Sequence, residues 1–206
     1  MSSDEKSKRR ERLLDTGRAR GYVFYDEIDS VLEIERILSS DHLRKLTAEL
    51  DGILSELTMN RIEVIDDPRT EDSIPDENFL DQLDREEFQE HPDDSAPIRM
   101  YLREVLRLSR LTVEEEKELS KEINEGGRDT ELAEKRLIEA NLWIALGTAT
   151  HFRNRGLRFL DLIQEGNIGL MRAAREYNHL RQYRFSTYAT WWVRRAILRA
   201  IEDSPR

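Results

Sequence analysis

Between Tyr177 and Arg199 the chain interleaves flat rings with guanidinium groups: Tyr177, Arg181, Tyr183, Arg184, Phe185, Tyr188, Trp191, Trp192, Arg194, Arg195 and Arg199. That mixture suits an unpaired nucleic-acid strand, because guanidinium groups meet phosphates and rings replace the stacking an extruded base has lost. Stacking gains about 1–3 kcal/mol per base, comparable with the few kcal/mol needed to pull a base from a duplex. The competing reading is ordinary core, with Trp191 and Trp192 packing against another helix or domain.

These residues need a helix to carry them. At about 100° per residue, a helix from about Ser186 to Glu202 gathers Ala189, Val193, Ala196, Ile197 and Ala200 into a small-residue stripe. The opposite side then holds Tyr188, Trp191, Arg195, Leu198 and Arg199, with Trp192 at the margin, so the large rings are expected to face outward. A preceding helix, from about Leu160 to Tyr177, divides the same way. Leu162, Ile163, Gly166, Leu170, Ala173 and Ala174 form one side, and Asp161, Gln164, Glu165, Ile168, Met171 and Arg172 the other. An Ile and a Met among polar groups fit the centre and rim of a protein interface. Gly166 and Gly169 lower helix propensity, which implies close tertiary packing in return.

Upstream, the pattern predicts an all-α chain in three parts. Residues 1–68 read as a small acidic helical module, with Leu43, Leu46, Leu50, Ile53, Leu54 and Leu57 at helical spacing after Asp41 as N-cap. Tyr22, Phe24 and Ile28 supply apolar partners, and RIEVIDDP looks extended. Residues 69–95, dense in Asp and Glu with Pro75 and Pro92, lack an apolar stripe and read as a disordered acidic linker. Residues 96–206 read as a helical bundle. A first helix follows Pro97; Thr112 and Glu115 form a capping box opening a second, which should stop at Gly126-Gly127; a third should run from about Thr130 to His151.

Charge follows the same division. The net charge of -10 hides a balance of -14 over residues 1–96 and +4 over residues 97–206, with eleven Arg and no Lys from His151 onward. An anion-binding half beside a segment able to cover it fits this polarity, as do two separately solvated faces.

Other chemistry finds little support. The chain has no Cys, which excludes disulfides, thiolate metal sites and cysteine nucleophiles. His42, His91, His151 and His179 are scattered without ligand spacing, and no glycine-rich phosphate loop or nucleophile motif is present. No cofactor and no catalytic activity are expected. No apolar run approaches the roughly 20 residues of a membrane span, and the amino-terminal segment has no apolar stretch behind its basic charge. A cytoplasmic location without membrane contact is expected.

Residues 154–173, NRGLRFLDLIQEGNIGLMRA, and 183–197, YRFSTYATWWVRRAI, closely resemble region 2 of the sigma-70 family of bacterial RNA polymerase sigma factors. Residues 96–123 resemble region 1.2. GRARGYVFYDEIDSVL and ELDGILSELTMNRIEVIDDP resemble region 1.1, which points to the primary class. The resemblance implies a factor that docks on core polymerase and melts the -10 promoter element by capturing flipped bases of the non-template strand. Asp161, Gln164, Glu165, Asn167 and Met171 resemble the surface that docks on the β′ clamp coiled coil. Tyr177, Arg181, Tyr183, Phe185, Thr187, Tyr188, Trp191 and Trp192, with Arg194 and Arg195, resemble the DNA-binding set. Asn141 corresponds to the pocket for a second flipped base, and Arg99 and Tyr101 to residues near the discriminator. The acidic module resembles the domain that keeps the free factor off DNA.

Several positions depart from the family pattern. Arg195 and Leu198 stand where Gln and Thr are common, and Leu cannot hydrogen-bond a base edge. Trp143 replaces a usual Arg, and Thr150-His151 a usual basic pair, which reduces positive charge beside Asn141. No counterpart of regions 3 and 4 follows Ser204-Pro205-Arg206, as in a fragment, a natural truncation or a degenerate copy. The second functional reading is therefore a truncated interaction protein that occupies the clamp and competes with a full-length factor.

Overall fold

In the computed structural model, residues 3–32, 40–65 and 95–204 are described, and they group into two compact units. The first is residues 1–71 with 181–183, the second 72–180 with 184–206. Of the acidic linker expected over 69–95, residues 69–94 lie outside the described part, as do the side chains of the expected N-cap Asp41 and of Leu43.

The first unit contains α1 (Ser3–Arg20), β1 (Tyr22–Phe24), α2 (Tyr25–Leu32), α3 (Ser40–Met59) and β2 (Glu63–Ile65). The leucine periodicity of α3 does what its spacing requires: Leu46, Leu50, Ile53, Leu54 and Leu57 are buried, facing Leu13, Leu14, Ile28 and Val31 in one core. The extended reading of RIEVIDDP finds its partner in Tyr22–Phe24, with Tyr22 opposite Glu63 and Phe24 opposite Ile65. The two short strands are parallel, which demands a crossover, and α2 and α3 supply it. Across the outside of the core, Lys6 Nζ lies 2.6 Å from Glu49 and Arg10 Nε 2.7 Å from Glu56, so the basic residues of α1 are paired with the acidic face of α3.

The second unit holds α4 (Ser95–Arg107), α5 (Val113–Glu125), α6 (Thr130–Glu139), α7 (Leu142–Thr150), α8 (Phe159–Glu176) and α9 (Phe185–Asp203). The expected capping box opens α5. Thr112 Oγ1 accepts from the Glu115 backbone N–H at 3.3 Å, and the Glu115 carboxylate accepts from the Thr112 N–H at 2.8 Å. At the other end Gly126 adopts φ 67°, a left-handed conformation that costs glycine little and stops the helix.

One expected helix is two. The segment predicted as continuous from Thr130 to His151 breaks at Ala140-Asn141. Asn141 Nδ2 donates to the Leu137 carbonyl at 2.8 Å, the acceptor that the Asn141 backbone N–H would use in an uninterrupted helix. The backbone N–H turns to the Ile138 carbonyl at 3.0 Å instead, and Asn141 leaves helical geometry at φ −117°, ψ 9°.

The tightest junction is between α8 and α9. A Cβ placed on Gly169 would lie 2.6 Å from the Trp192 carbonyl oxygen and 2.9 Å from Ala196 Cβ; on Gly166 it would meet only side chains, at 3.2–3.3 Å. Backbone cannot yield as side chains can. Gly169→Ala should therefore destabilise the protein by about 1–2 kcal/mol, overpacking outweighing improved helix propensity, while Gly166→Ala should be near neutral. Denaturant unfolding of the two variants checks this difference. Thr112→Ala addresses the cap. Hydrogen bonds from the Thr112 N–H and hydroxyl hold the Glu115 carboxyl below its ordinary range, so their contribution is present above about pH 4.5 and is lost as pH falls through the lowered value. Thermal unfolding followed by helical circular dichroism should show an acid-induced loss in the wild type that is smaller in Thr112→Ala.

Candidate nucleic-acid interface

The ring-bearing helix does not present its aromatics to solvent. Tyr177, Phe185, Tyr188, Trp191 and Trp192 are all buried, Tyr188 and Trp191 at 0% and 1% exposure. The expectation of an outward aromatic face is thus corrected in favour of packing. The small-residue stripe is buried at Ala189, Val193 and Ile197, but the opposite side of the amino-terminal half is covered as well, so α9 is enclosed on both sides from Phe185 to Arg194. The physical reason is the rings themselves. Tyr177 meets Phe185 edge-on at 5.3 Å, Tyr188 meets Trp192 edge-on at 6.3 Å, and Trp191 and Trp192 lie 5.2 Å apart at 86°, while Tyr177 and Tyr188 are tilted at 46° with centroids 5.7 Å apart. Such edge-to-face pairs add to the large apolar area each ring removes from water. The guanidinium of Arg172, from α8, stands 5.7 Å from the Trp192 ring centroid.

The cluster also buries polar atoms. The Trp192 indole N–H is buried and has no hydrogen-bond partner among the described residues. A buried donor in that state costs about 1–3 kcal/mol.

The connection from Tyr177 to Arg184 is anchored by α5. Asn124 Nδ2 donates to the Tyr177 carbonyl at 2.9 Å, and Arg184 clasps Glu116 through Nε and Nη2 at 2.9 and 2.8 Å. Glu116 is buried, and its hydrogen bonds raise the Arg184 pKa further. Arg181 and Tyr183 fall in the first unit, where both donate to the buried carboxylate of Asp51. Burial pushes the Asp51 carboxyl above its ordinary range, against the opposing pull of those two donors.

Of the remaining expected DNA contacts, Asn141 is buried at the α6–α7 break. Arg194 is buried with its guanidinium carbon 5.3 Å from the Phe152 ring centroid. Thr187, Arg195 and Arg99 are half-buried, as is Leu198. Tyr101 does not stand apart from the docking set. Its hydroxyl accepts from Asn167 Nδ2 of α8 at 3.1 Å, and burial pushes the phenol pKa up. Asn167 in turn lies 3.5 Å from Gln164 Oε1.

The face of α8 behaves as its spacing dictates. Leu162, Ile163, Gly166, Leu170, Ala173 and Ala174 are buried, whereas Ile168 is 51% and Met171 36% exposed, beside exposed Gln164 and half-buried Asp161, Glu165 and Asn167. An open apolar pair rimmed by amide and carboxylate groups can receive a protein surface with matching donors.

Sequence reasoning missed Glu116, Asn124, Arg172 and Arg110. Glu116 shares the buried face of α5 with Leu119 and Ser120, and a carboxylate on an apolar face was the signal available for it. Arg110 changes the reading of Trp143. Its guanidinium carbon lies 4.4 Å from the Trp143 ring centroid, so a cation from the α4–α5 connection stands where the substitution of Trp143 had suggested lost charge.

Three family models match the chain: Sigma-70 region 2 over residues 137–206, Sigma-70 factor, region 1.2 over 97–129, and Sigma-70 factor, region 1.1 over 4–91. Among curated relatives, the RNA polymerase sigma factor SigA of Listeria monocytogenes serovar 1/2a (strain ATCC BAA-679 / EGD-e) is 40% identical over 205 residues, 96% of this chain and 51% of the relative. The SigA of Lactococcus lactis subsp. lactis (strain IL1403) is 48% identical over 110 residues, 53% of this chain and 28% of the relative. The chain thus spans about half the length of the Listeria relative, and the Lactococcus match takes in a smaller share.

The clasp on the connection is open to test. Glu116→Ala leaves Arg184 without its bidentate acceptor and should lower stability by about 1–3 kcal/mol, less than for a fully buried pair because the Arg184 side chain is 47% exposed. Arg184→Lys, which keeps the charge but not the fork, should recover only part of the loss. Chemical denaturation of both variants measures it.

Proposed function

Because the chain belongs to the sigma-70 family, we propose that it is a transcription initiation factor that docks on bacterial RNA polymerase core and captures flipped non-template bases of the -10 promoter element. Docking is assigned to α8, with Asp161, Gln164, Glu165, Asn167 and Met171 engaging the β′ clamp coiled coil. The observation that carries this reading is the open Ile168–Met171 pair on a helix whose other side is wholly buried. Strand capture is assigned to Tyr177, Arg181, Tyr183, Phe185, Thr187, Tyr188, Trp191, Trp192, Arg194 and Arg195, with Asn141, Arg99 and Tyr101 downstream. No polymerase chemistry is asked of this chain.

Closed rings require a revised route to capture. A base cannot stack on Tyr188 or Trp191 while both are sealed, so capture proceeds by opening the cluster, with base–ring contacts replacing ring–ring contacts. The unsatisfied Trp192 N–H supports this sequence, since an acceptor on the incoming strand would relieve a penalty already present in the closed state. The acidic module is assigned the role of keeping the free factor off DNA.

A second reading, a clamp-occupying competitor that supports little initiation, is favoured by the combination of an open α8 face and closed rings. A transcription assay separates the two: product from a strong extended promoter supports the first, and inhibition of a full-length factor supports the second.

For docking, Gln164→Ala combined with Glu165→Ala should reduce retention of the chain by purified core polymerase by about tenfold or more, whereas Leu132→Ala, at a 66% exposed site on α6, should not. Retained binding in the double variant refutes the assigned face. For capture, Trp192→Phe keeps a ring and removes the N–H. It should weaken binding of a single-stranded -10 oligonucleotide by the docked complex by about fivefold, and wild-type affinity should fall steeply with salt. Equal capture of a scrambled oligonucleotide refutes sequence recognition.

A further inference from the structure

The polar rim of the α8 face is gripped from outside that helix. Asn167, half-buried between sealed Gly166 and open Ile168, is met by the Tyr101 hydroxyl, which accepts from its Nδ2 at 3.1 Å and lies 3.4 Å from its Oδ1. Asn167 Nδ2 lies in turn 3.5 Å from Oε1 of exposed Gln164, one turn earlier on α8. Tyr101 is 66 residues away in sequence, on α4, a helix tied to the core by buried Ile98, Leu102 and Val105. Burial keeps the phenol protonated to higher pH than usual, so its oxygen remains able both to donate and to accept. An amide side chain on an open helix face samples several rotamers, and binding must freeze the one its partner needs. Contacts at both atoms of the Asn167 amide select that orientation in advance, and the Asn167 contact restrains Gln164 in turn.

We propose that Tyr101 is a positioning residue of the docking face, its hydroxyl orienting Asn167, and Gln164 beyond it, before core polymerase arrives. The face is then a composite of α4 and α8 rather than the property of one helix. Its affinity benefits because the two amides are ordered in the free chain instead of on binding. Asp161 is restrained in a comparable way, its Oδ2 accepting from Arg158 Nε at 3.0 Å, but that contact comes from three residues away, whereas Tyr101 makes the rim depend on a second helix. The role belongs to the hydroxyl, and the ring stays with the strand-capture assignment. The proposal deepens the docking reading and rests on it for the identity of the partner.

Tyr101→Phe removes the oxygen and keeps the ring. In the full chain it should weaken retention by purified core polymerase about fivefold, with helical circular dichroism verifying that the variant folds. In an Asn167→Ala background the same substitution should have no further effect, because the group it positions is gone. A purely structural role for Tyr101 lowers retention equally in both backgrounds; that result overturns the proposal, as does equal retention of Tyr101→Phe and the wild type. In the free chain, the side-chain amide resonances of Asn167, assigned with Asn167→Ala, should move toward those of a freely rotating surface amide in Tyr101→Phe, and unmoved resonances also overturn it. Failure of the docking reading looks different. Asn167→Ala and the combined Gln164→Ala, Glu165→Ala variant would both be retained like the wild type, which removes the face and the positioning role with it. Loss of retention in those variants with none in Tyr101→Phe removes only the role of the hydroxyl and leaves docking intact.

Discussion

The second unit depends on the approach of α8 to α9 at Gly169, where the backbone of Trp192 comes too near to admit even a methyl group. That approach spends one face of α8 entirely on the core and leaves Ile168 and Met171 with nowhere to go but solvent. The same approach holds Trp192 beneath Arg172 and within reach of Tyr188 and Trp191. An exposed apolar pair on α8 and a closed aromatic cluster are thus two sides of one packing constraint. A looser pair of helices would preserve neither.

The aromatic cluster and the α5 clasp act on the same stretch of chain. Rings converge on Tyr177 and Tyr188 from α9, while Asn124 and Glu116 fix the backbone at Tyr177 and the guanidinium at Arg184. Closed rings and a clasped connection leave Tyr188 and Trp191 without an open face. The buried indole donor marks where that packing is imperfect.

Much of the fold was legible. The period of α8 named its buried and open residues correctly, the Thr112 and Glu115 pattern opened α5, and Gly126 closed it. What periodicity could not reveal was enclosure on two sides. A wheel ranks the faces of α9 by size and polarity, but it carries no information about whether Tyr188 and Trp191 have partners, and here those partners are largely one another. The break at Asn141 was missed because a side-chain amide competing for the Leu137 carbonyl leaves no trace in an apolar pattern. Arg110 was missed for a related reason: a cation contributed from a connection to a ring on another helix is invisible to any local window.

The pairing of Glu116 with Arg184 joins positions 68 residues apart in sequence. Individual helices such as α8 and α9 can form from local contacts, but this clasp requires closure of a long loop, whose entropy must be met before the contact returns anything. The topology therefore places it late in folding and early in unfolding. Residues 177–180 and Arg184 become the part of the second unit whose amide protons should exchange from a partially opened state, ahead of the global transition.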